Sequence, residues 1–448
     1  MNMFNTSPKI IFILPNIYEC VNGVSTKYIQ FIQYLINNQY YVTLMIPFID
    51  HYILDNIKKY DNLKIIKVNG LNVPFYKEIK IPIITKDLLK KQLDNKNEII
   101  IFNGEFIWLY TLLQKLKKRY IHLKLYPNMH TDYINYASNY YNDSFFSSLS
   151  IFKKWDITSV FNYTDFYLQE KIFSGIIVTG EKMKKKYINF TESIFNANEI
   201  DLSVFSSHKI DLYNNNNNQT NNILFNIIFC GRMSKEKNIE EILECCNLLY
   251  NNENTILLKN ILKVTDIQFK IHMIGDGPYL DNLKNIIEMK YYNLKDDIIF
   301  YGSLKHNEIN KLYNSLDNRL FLFTSLSETF GKTPMEACST GIPIFIKKSD
   351  LTDYLYIHKK NAYIFENPID FFENFKYFLN INALDKNIFI SNSINNVKQY
   401  DQSKIFDEWI YFLINGYLKK KSSLNIFDIF TFHGITKMIN CSGILLAD

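Results

Sequence analysis

Two carboxylates eight residues apart, Glu328 and Glu336, stand in the run Ser327-Glu-Thr-Phe-Gly-Lys-Thr-Pro-Met-Glu-Ala337. The apolar stretch Leu320–Thr324 before it reads as a strand, and Thr333–Thr340 reads as a helix. The first carboxylate therefore falls on a loop, Gly331 makes the turn, and the second rides on the helix. A helix start offers free backbone N–H groups and a positive dipole end to a diphosphate, with Lys332 and Thr333 at its mouth. Gly331 lets the backbone come close to a ligand, and the carboxylates suit the hydroxyls of a sugar and a ribose. The bland alternative is an acidic loop followed by a solvated helix glutamate.

A second group, Gly231-Arg-Met-Ser-Lys-Glu-Lys-Asn238, follows the strand candidate Leu224–Cys230. Arg232 and Lys237 would stand at the mouth of a strand-to-helix loop, where fixed cations stabilise a departing diphosphate. An isolated pair of this kind is more often an ordinary charged loop. Ile274-Gly275-Asp-Gly-Pro278 repeats the strand–glycine–helix step and is a weak signal alone. In the first half, Gly23 opens a helix after the strand Ile10–Leu14, and His130 follows the strand Leu123–Tyr126. A lone histidine is more often structural, but one at a carboxyl strand end is better placed to meet a ligand.

Two blocks of alternating short apolar runs and amphipathic stretches must position these residues, the pattern of doubly wound α/β units. The first block adds strands at Val42–Ile46, Lys64–Val68, Glu98–Phe102, Ile176–Thr179 and Ser193–Asn196. The second adds Gln268–Ile274, Ile298–Tyr301 and Ile342–Ile346, with helices at Ile239–Leu249, Tyr279–Met289 and His306–Leu316. The division expected is 1–205 for the first Rossmann-like domain and 223–398 for the second. An Asn-rich linker at 206–222, a crossover helix at 399–420 and an unassigned tail at 421–448 complete it. The Asn-rich tract cannot bury enough apolar surface to fold by itself. Two such halves face each other across a cleft, the default ligand site.

The chain of 448 residues is long enough for two domains, and 47% hydrophobic against 21% charged residues marks a globular protein. A net charge of +5, with no aromatic-basic repeat or finger spacing, gives no reason to expect nucleic acid. The six cysteines, at 20, 230, 245, 246, 338 and 441, have no framework or metal-knuckle spacing and read as buried thiols. No secretory leader or uninterrupted apolar span is seen, so a cytoplasmic protein is expected.

In this order the motifs resemble the large family of retaining glycosyltransferases (family four) that includes sulfolipid synthases, glycolipid glucosyltransferases and phosphatidylinositol-sugar synthases. The resemblance runs from about Lys9 to about Phe365 and is strongest over Ile227–Pro343. It implies a GT-B fold whose C-terminal helix packs back on the first domain. It also implies that Glu328 and His130 hold the donor sugar, Glu336 the nucleotide ribose, and Arg232 and Lys237 the diphosphate. Gly23, Gly231, Gly275, Gly331, Lys332 and Thr333 complete the implied donor site. The run from His130 to Tyr140 is most similar to the glycolipid-making branch. Two departures stand out. The pattern Asn-Gly-Val-Asp reads Asn198-Glu199-Ile200-Asp201, and a glycine pair after Pro343 is replaced by Lys347-Lys348-Ser349-Asp350.

The resemblance implies hexosyl transfer with retention from a nucleotide-diphosphate sugar, without a metal or other cofactor. The acceptor expected is a lipid or glycolipid, with a soluble or protein-linked glycan as the alternative. Aromatic residues dense over 145–173 and the lysines at 182–186 would suit peripheral contact with an anionic membrane on its cytosolic face. Buried core aromatics and a solvated helix are the alternative there. Two rivals stay open: a catalytically inactive nucleotide-sugar binder, and a glycoside hydrolase, which would use paired carboxylates but not the cations.

Overall fold

A computed structural model describes residues 8–17, 23–51, 53, 55, 59–73, 76–94, 97–104, 107–130, 172–189, 191, 193–206, 222–326 and 328–416. The Asn-rich tract, the aromatic run up to residue 171 and the tail beyond 416 lie outside them.

Fifteen strands are described. Those of the first sheet are β1 (Lys9–Ile13), β2 (Val42–Ile46), β3 (Leu63–Lys67), β6 (Glu98–Asn103), β7 (Lys124–Met129), β8 (Ile176–Val178) and β9 (Ile194–Asn196). All its pairings are parallel, in the order β3-β2-β1-β6-β7-β8-β9. A small antiparallel hairpin, β4 (Gly70–Val73) with β5 (Tyr76–Pro82), lies outside the sheet. The second sheet comprises β10 (Asn222–Cys230), β11 (Asp266–Ile274), β12 (Ile298–Gly302), β13 (Arg319–Phe323), β14 (Ile344–Lys347) and β15 (Tyr363–Phe365). Its order, β12-β11-β10-β13-β14-β15, is again wholly parallel.

The strands are near-continuous apolar runs because helices cover both faces of each sheet. The second sheet shows this residue by residue. Phe225, Ile227, Phe229, Leu320, Leu322 and Phe345 pack with Leu243, Phe371 and Phe375 on one face. Their neighbours Ile228, Cys230, Phe321, Phe323, Ile344 and Ile346 pack with Met335, Tyr313 and Val397 on the other, as the two-residue period of a strand requires.

One structural unit is Asn198–Glu408 together with the short segment Cys20–Lys27; the other combines Tyr28–Ala197 with the described residues before Cys20 and from Trp409 on. The segment 198–205, expected with the first half, lies in the second unit. Ile200 N–H donates to Tyr400 O at 2.7 Å, and Gln402 N–H donates to Ile200 O at 2.9 Å. The last described helix, Gln402–Asn415, carries the chain back to the first unit. There Trp409 stacks flat on Phe31 at 3.9 Å, and Phe412 packs against Tyr126 and Phe195. The described helix lies within the expected 399–420 and stops at Asn415, where Gly416 takes a left-handed φ of 65°. Cys230, Cys245, Cys246 and Cys338 are buried free thiols.

Candidate functional site

In the second sheet the strand order reverses direction between β10 and β13, and ligands of open parallel sheets bind at the carboxyl side of such a switch point. The loops leaving these two strands are 231–238 and 324–331, the two that carry the charged motifs.

Backbone hydrogen bonds lace the neighbouring loops together. Gly231 N–H donates to Ile274 O at 3.0 Å, Gly275 N–H to Gly302 O at 2.8 Å, and Met233 N–H to Asp276 O at 2.9 Å. Gly275 has φ +127°, and a Cβ there would lie 2.0 Å from Gly231 O; one at Gly277 would lie 2.4 Å from Met233 O. The glycines therefore have a packing reason at this junction that needs no ligand.

The two switch-point loops are tied just as closely. Thr324 Oγ1 donates to the carbonyls of Lys237 and Asn238, both at 2.9 Å, and Leu326 N–H donates to Glu236 O at 2.9 Å. Residues Lys235–Lys237 form a single 3₁₀ turn, and Asn238, at φ 50°, starts the helix Ile239–Leu249. In this frame the Lys237 ammonium meets the Glu328 carboxylate, with side chains 17% and 18% exposed. Arg232 is half-buried on the same loop, between Gly231 and Met233. Gly331, at φ +68°, turns the chain into the helix Lys332–Ser339, and a Cβ on it would approach Leu351 Cδ2 to 2.6 Å. Thr333 is half-buried at that helix start.

Glu336 lies one turn into this helix and is 2% exposed. Burial pushes its carboxyl up to about 7; Lys332 opposes the rise, and Glu199 and Asp201 add to it. Lys332 stands at i−4 on the same helix face, and its ammonium donates to Glu199 Oε1 at 2.9 Å. Glu199 is 3% exposed. For Lys332, burial works to lower the pKa, but Glu199 and Glu336 outweigh it and the net direction is up. His306 Nε2 lies 3.9 Å from Glu336 Oε1; burial, with help from Lys332, depresses this imidazole to about 4, so it is neutral at pH 7. Neither Glu199 nor His306 was singled out as a site residue from sequence. The one signal for Glu199 is that it stands where the resembled pattern has glycine. His306 is an unremarkable helix-start residue in sequence.

The second departure also has a partner. Lys347, at the end of β14, places its ammonium 2.5 and 2.6 Å from the two carboxylate oxygens of Glu241 on the helix Ile239–Leu249.

In the first unit His130 follows β7 directly and is 5% exposed. Its Nε2 is 2.7 Å from the Tyr28 hydroxyl, and the rings meet edge to face at 5.2 Å. Tyr28 lies on the helix Gly23–Asn37, so Gly23 opens the helix that fixes the His130 ring. Of the aromatic stretch 145–173 only residues 172 and 173 are described, and Phe173 is buried with Phe102 and Tyr110. The lysine-rich stretch lies on the helix Glu181–Tyr187, whose Met183 and Tyr187 are buried. No helix among the described residues is long and apolar enough to cross a membrane.

Residues 214–395 match the family model described as glycosyl transferases group 1. The sulfoquinovosyl transferase SQD2 of Arabidopsis thaliana is 30% identical over 118 residues, 26% of this chain and 18% of that protein. The alpha-monoglucosyldiacylglycerol synthase of Acholeplasma laidlawii is 29% identical over 141 residues, 32% of this chain and 31% of that one. The chain thus spans less than a third of the length of these two curated relatives. Among solved structures, HepE of Anabaena in complex with UDP and glucose superposes with a TM-score of 0.60 at 14% identity, covering 91% of this chain and all of that one. Residues 214–395 are thus similar to the group 1 glycosyl transferases, and the fold shared along nine-tenths of the chain is the GT-B fold.

Proposed function

We propose that the protein transfers a hexosyl group, with retention, from a nucleotide-diphosphate sugar to a lipid or glycolipid acceptor. The observation that carries this reading is the meeting of the 231–238 and 324–331 loops at the β10–β13 switch point, with Lys237 against Glu328 and a helix start beside them. In the second unit, Arg232, Lys237 and the N–H groups at the start of Lys332–Ser339 would hold the diphosphate. Glu336 would accept the ribose hydroxyls, and Glu328 the sugar hydroxyls. For His130 the resemblance alone implies a contact with the sugar.

In the reaction, the bond from the sugar C1 to the β-phosphate oxygen breaks and its electrons stay on that oxygen. The acceptor hydroxyl attacks C1 from the same face, and its proton passes to the departing phosphate. Arg232 and Lys237 bind this phosphate more tightly as its charge grows, the condition for accelerating the step. The chain's own cations suffice in this reading, so it requires no metal ion. The Lys237–Glu328 contact gives Glu328 a fixed orientation before donor arrives, so the cost of ordering it is met on folding.

Support for the donor comes from HepE, whose solved complexes hold UDP, UDP-glucose or UDP with glucose. Support for the acceptor comes from the name of one relative, the alpha-monoglucosyldiacylglycerol synthase. The test is thermal stabilisation by UDP, ADP and GDP and by their hexose esters, followed by turnover of the donor that binds. Stabilisation by none of them would end this reading, because a ligand specific for the folded state must raise its stability. Full activity of both Arg232→Ala and Glu336→Ala would end the site assignment. Co-sedimentation with anionic vesicles tests peripheral membrane contact; absence of binding would redirect the acceptor search to soluble glycans.

A further inference from the structure

The buried charge cluster beneath the helix Lys332–Ser339 is not used by the transfer step. It brings together Glu199 from the segment 198–205, Lys332 and Glu336 from the helix, and His306 from the helix His306–Ser315. Its parts are rigidly held. Ile200 is bonded to Tyr400 and Gln402 through backbone on both sides, the Asp201 carboxylate accepts from Ser203 and Val204 N–H at 3.1 and 3.2 Å, and Phe205 packs edge-on against His306 at 5.5 Å. Glu199 therefore cannot follow Lys332 if the lysine moves. Three carboxylates act on the charge of Lys332: Glu199 through a 2.9 Å hydrogen bond, Glu336 one helical turn away, and Asp201.

We propose that Glu199 and Lys332 are a positioning pair for Glu336. The Glu199 carboxylate anchors the Lys332 ammonium at the helix start, and the anchored pair sets the charge Glu336 presents to the donor's ribose. This rests on the reading of Glu336 as the ribose carboxylate. It reassigns Lys332 from direct contact with the donor to support of the residue that makes it.

The charged or titratable groups that act on Glu336 among the described residues are these. Lys332 favours its ionised form; Glu199 and Asp201 disfavour it. His306 is held neutral by burial. Cys230 of β10 and Tyr313 of the helix His306–Ser315, which also interact with it, are both pushed upward by burial and stay protonated at pH 7. Lys332 and Glu199, opposed in sign, thus both act on this carboxylate, and each can be removed alone. An ionised Glu336 accepts from both ribose hydroxyls, whereas a protonated one must spend an oxygen as donor.

The test measures the affinity of whichever of UDP, GDP or ADP binds, by calorimetry from pH 5.5 to 8.5, for the natural protein and four variants. The ligand's own titration is common to all of them and cancels in the comparison. Glu199→Gln removes the neighbour that disfavours ionisation, so the midpoint of the affinity rise moves to lower pH by about one unit. Lys332→Met removes the favouring neighbour and moves it to higher pH by about as much. Glu199→Asp keeps the charge and restores a midpoint near the natural one, and Glu336→Gln abolishes this part of the pH dependence. A merely structural pair would lower affinity at every pH and leave the midpoint in place. Should Lys332→Met fail to fold, Glu199→Gln against Glu199→Asp decides the matter alone. Nucleotide binding with no displacement of the midpoint in Glu199→Gln overturns this inference and leaves the donor site standing; no binding by the natural protein overturns the donor site itself.

Discussion

Two of the lysine–glutamate pairs at the carboxyl end of the second unit's sheet are built for different work. Lys237 and Glu328 meet between two loops, each side chain about one-sixth exposed, with backbone and a threonine hydroxyl fixing the loops around them. Lys332 and Glu199 meet under a helix, with Glu336 buried beside them and a net excess of carboxylate over ammonium. A pair at the mouth of a site can open toward a ligand that offers its own charges. A pair whose acid is 3% exposed cannot open without leaving a buried charge unpaired, which costs far more than an exposed pair returns. The first is suited to exchanging partners during a reaction, the second to holding a field constant.

The largest effect that would break this contrast is in stability. Lys332→Ala leaves Glu199 and Glu336 buried together without a cation, and a loss of about 3 kcal/mol or more is expected from urea unfolding. Glu199→Ala leaves Lys332 with Glu336 still at i+4, so its cost should stay below about 1 kcal/mol. Equal losses would mean that the cluster does not share its lysine between two acids. At the other pair the balance reverses. Lys237→Ala should reduce donor turnover by about 10²-fold or more while costing less than about 1 kcal/mol of stability, read from initial rates and urea unfolding of the same preparation.

Much of this frame was legible in the sequence. Buried parallel strands are uninterrupted apolar runs, so β2 and the helix Ile239–Leu249 have the expected limits at both ends. The 4-residue and 7-residue hairpin strands β4 and β5 were not foreseen, because YKEIKIP is charged and owes its strand form to its partner. The helix Pro368–Asn380 did carry a start signal, the Asn367 cap with proline at the first turn. The helix Ala383–Lys398 has little apolar periodicity to announce it. At the site, Glu328, Gly331 and Glu336 could be read because one strand–turn–helix step orders them locally. Glu199 could not, because its lysine is 133 residues away and only the folded chain brings the two together. Gly275 reads as a ligand-facing glycine, and its positive φ and closeness to Gly231 O add a packing requirement that the sequence does not show.

The buried cluster should also separate itself from the open pair by pH. With its carboxyl raised to about 7, Glu336 contributes stability that is complete below the ordinary carboxylate range and disappears as pH rises through 7. His306, depressed to about 4, contributes stability that is present above its ordinary imidazole range and disappears as pH falls through 4. Ionising Glu336 favours ribose binding in the proposed site, so nucleotide affinity should rise through the interval in which the Glu336 contribution to stability falls. Thermal unfolding and calorimetry over pH 5.5 to 8.5 would show the two trends crossing, and Glu336→Gln should remove both. Trends that run in parallel would place Glu336 outside the nucleotide's reach.

The smallest expected effect bears on how the open pair is held. Thr324 Oγ1 is shared between the carbonyls of Lys237 and Asn238, and it is the only side-chain group described as bonding to both. Thr324→Val keeps the shape and deletes both hydrogen bonds, at a stability cost of about 1 kcal/mol. The 324–331 loop would stay attached through Leu326 N–H to Glu236 O, but the turn carrying Lys237 would be free to shift against Glu328. Because catalysis depends on where a cation sits to within fractions of an ångström, kcat for donor turnover should fall several-fold, with the nucleotide-binding pH midpoint unmoved since the Glu199–Lys332 pair is untouched. A displaced midpoint in this variant would show that the two pairs are coupled through the sheet end, and the division of labour between them would have to be given up.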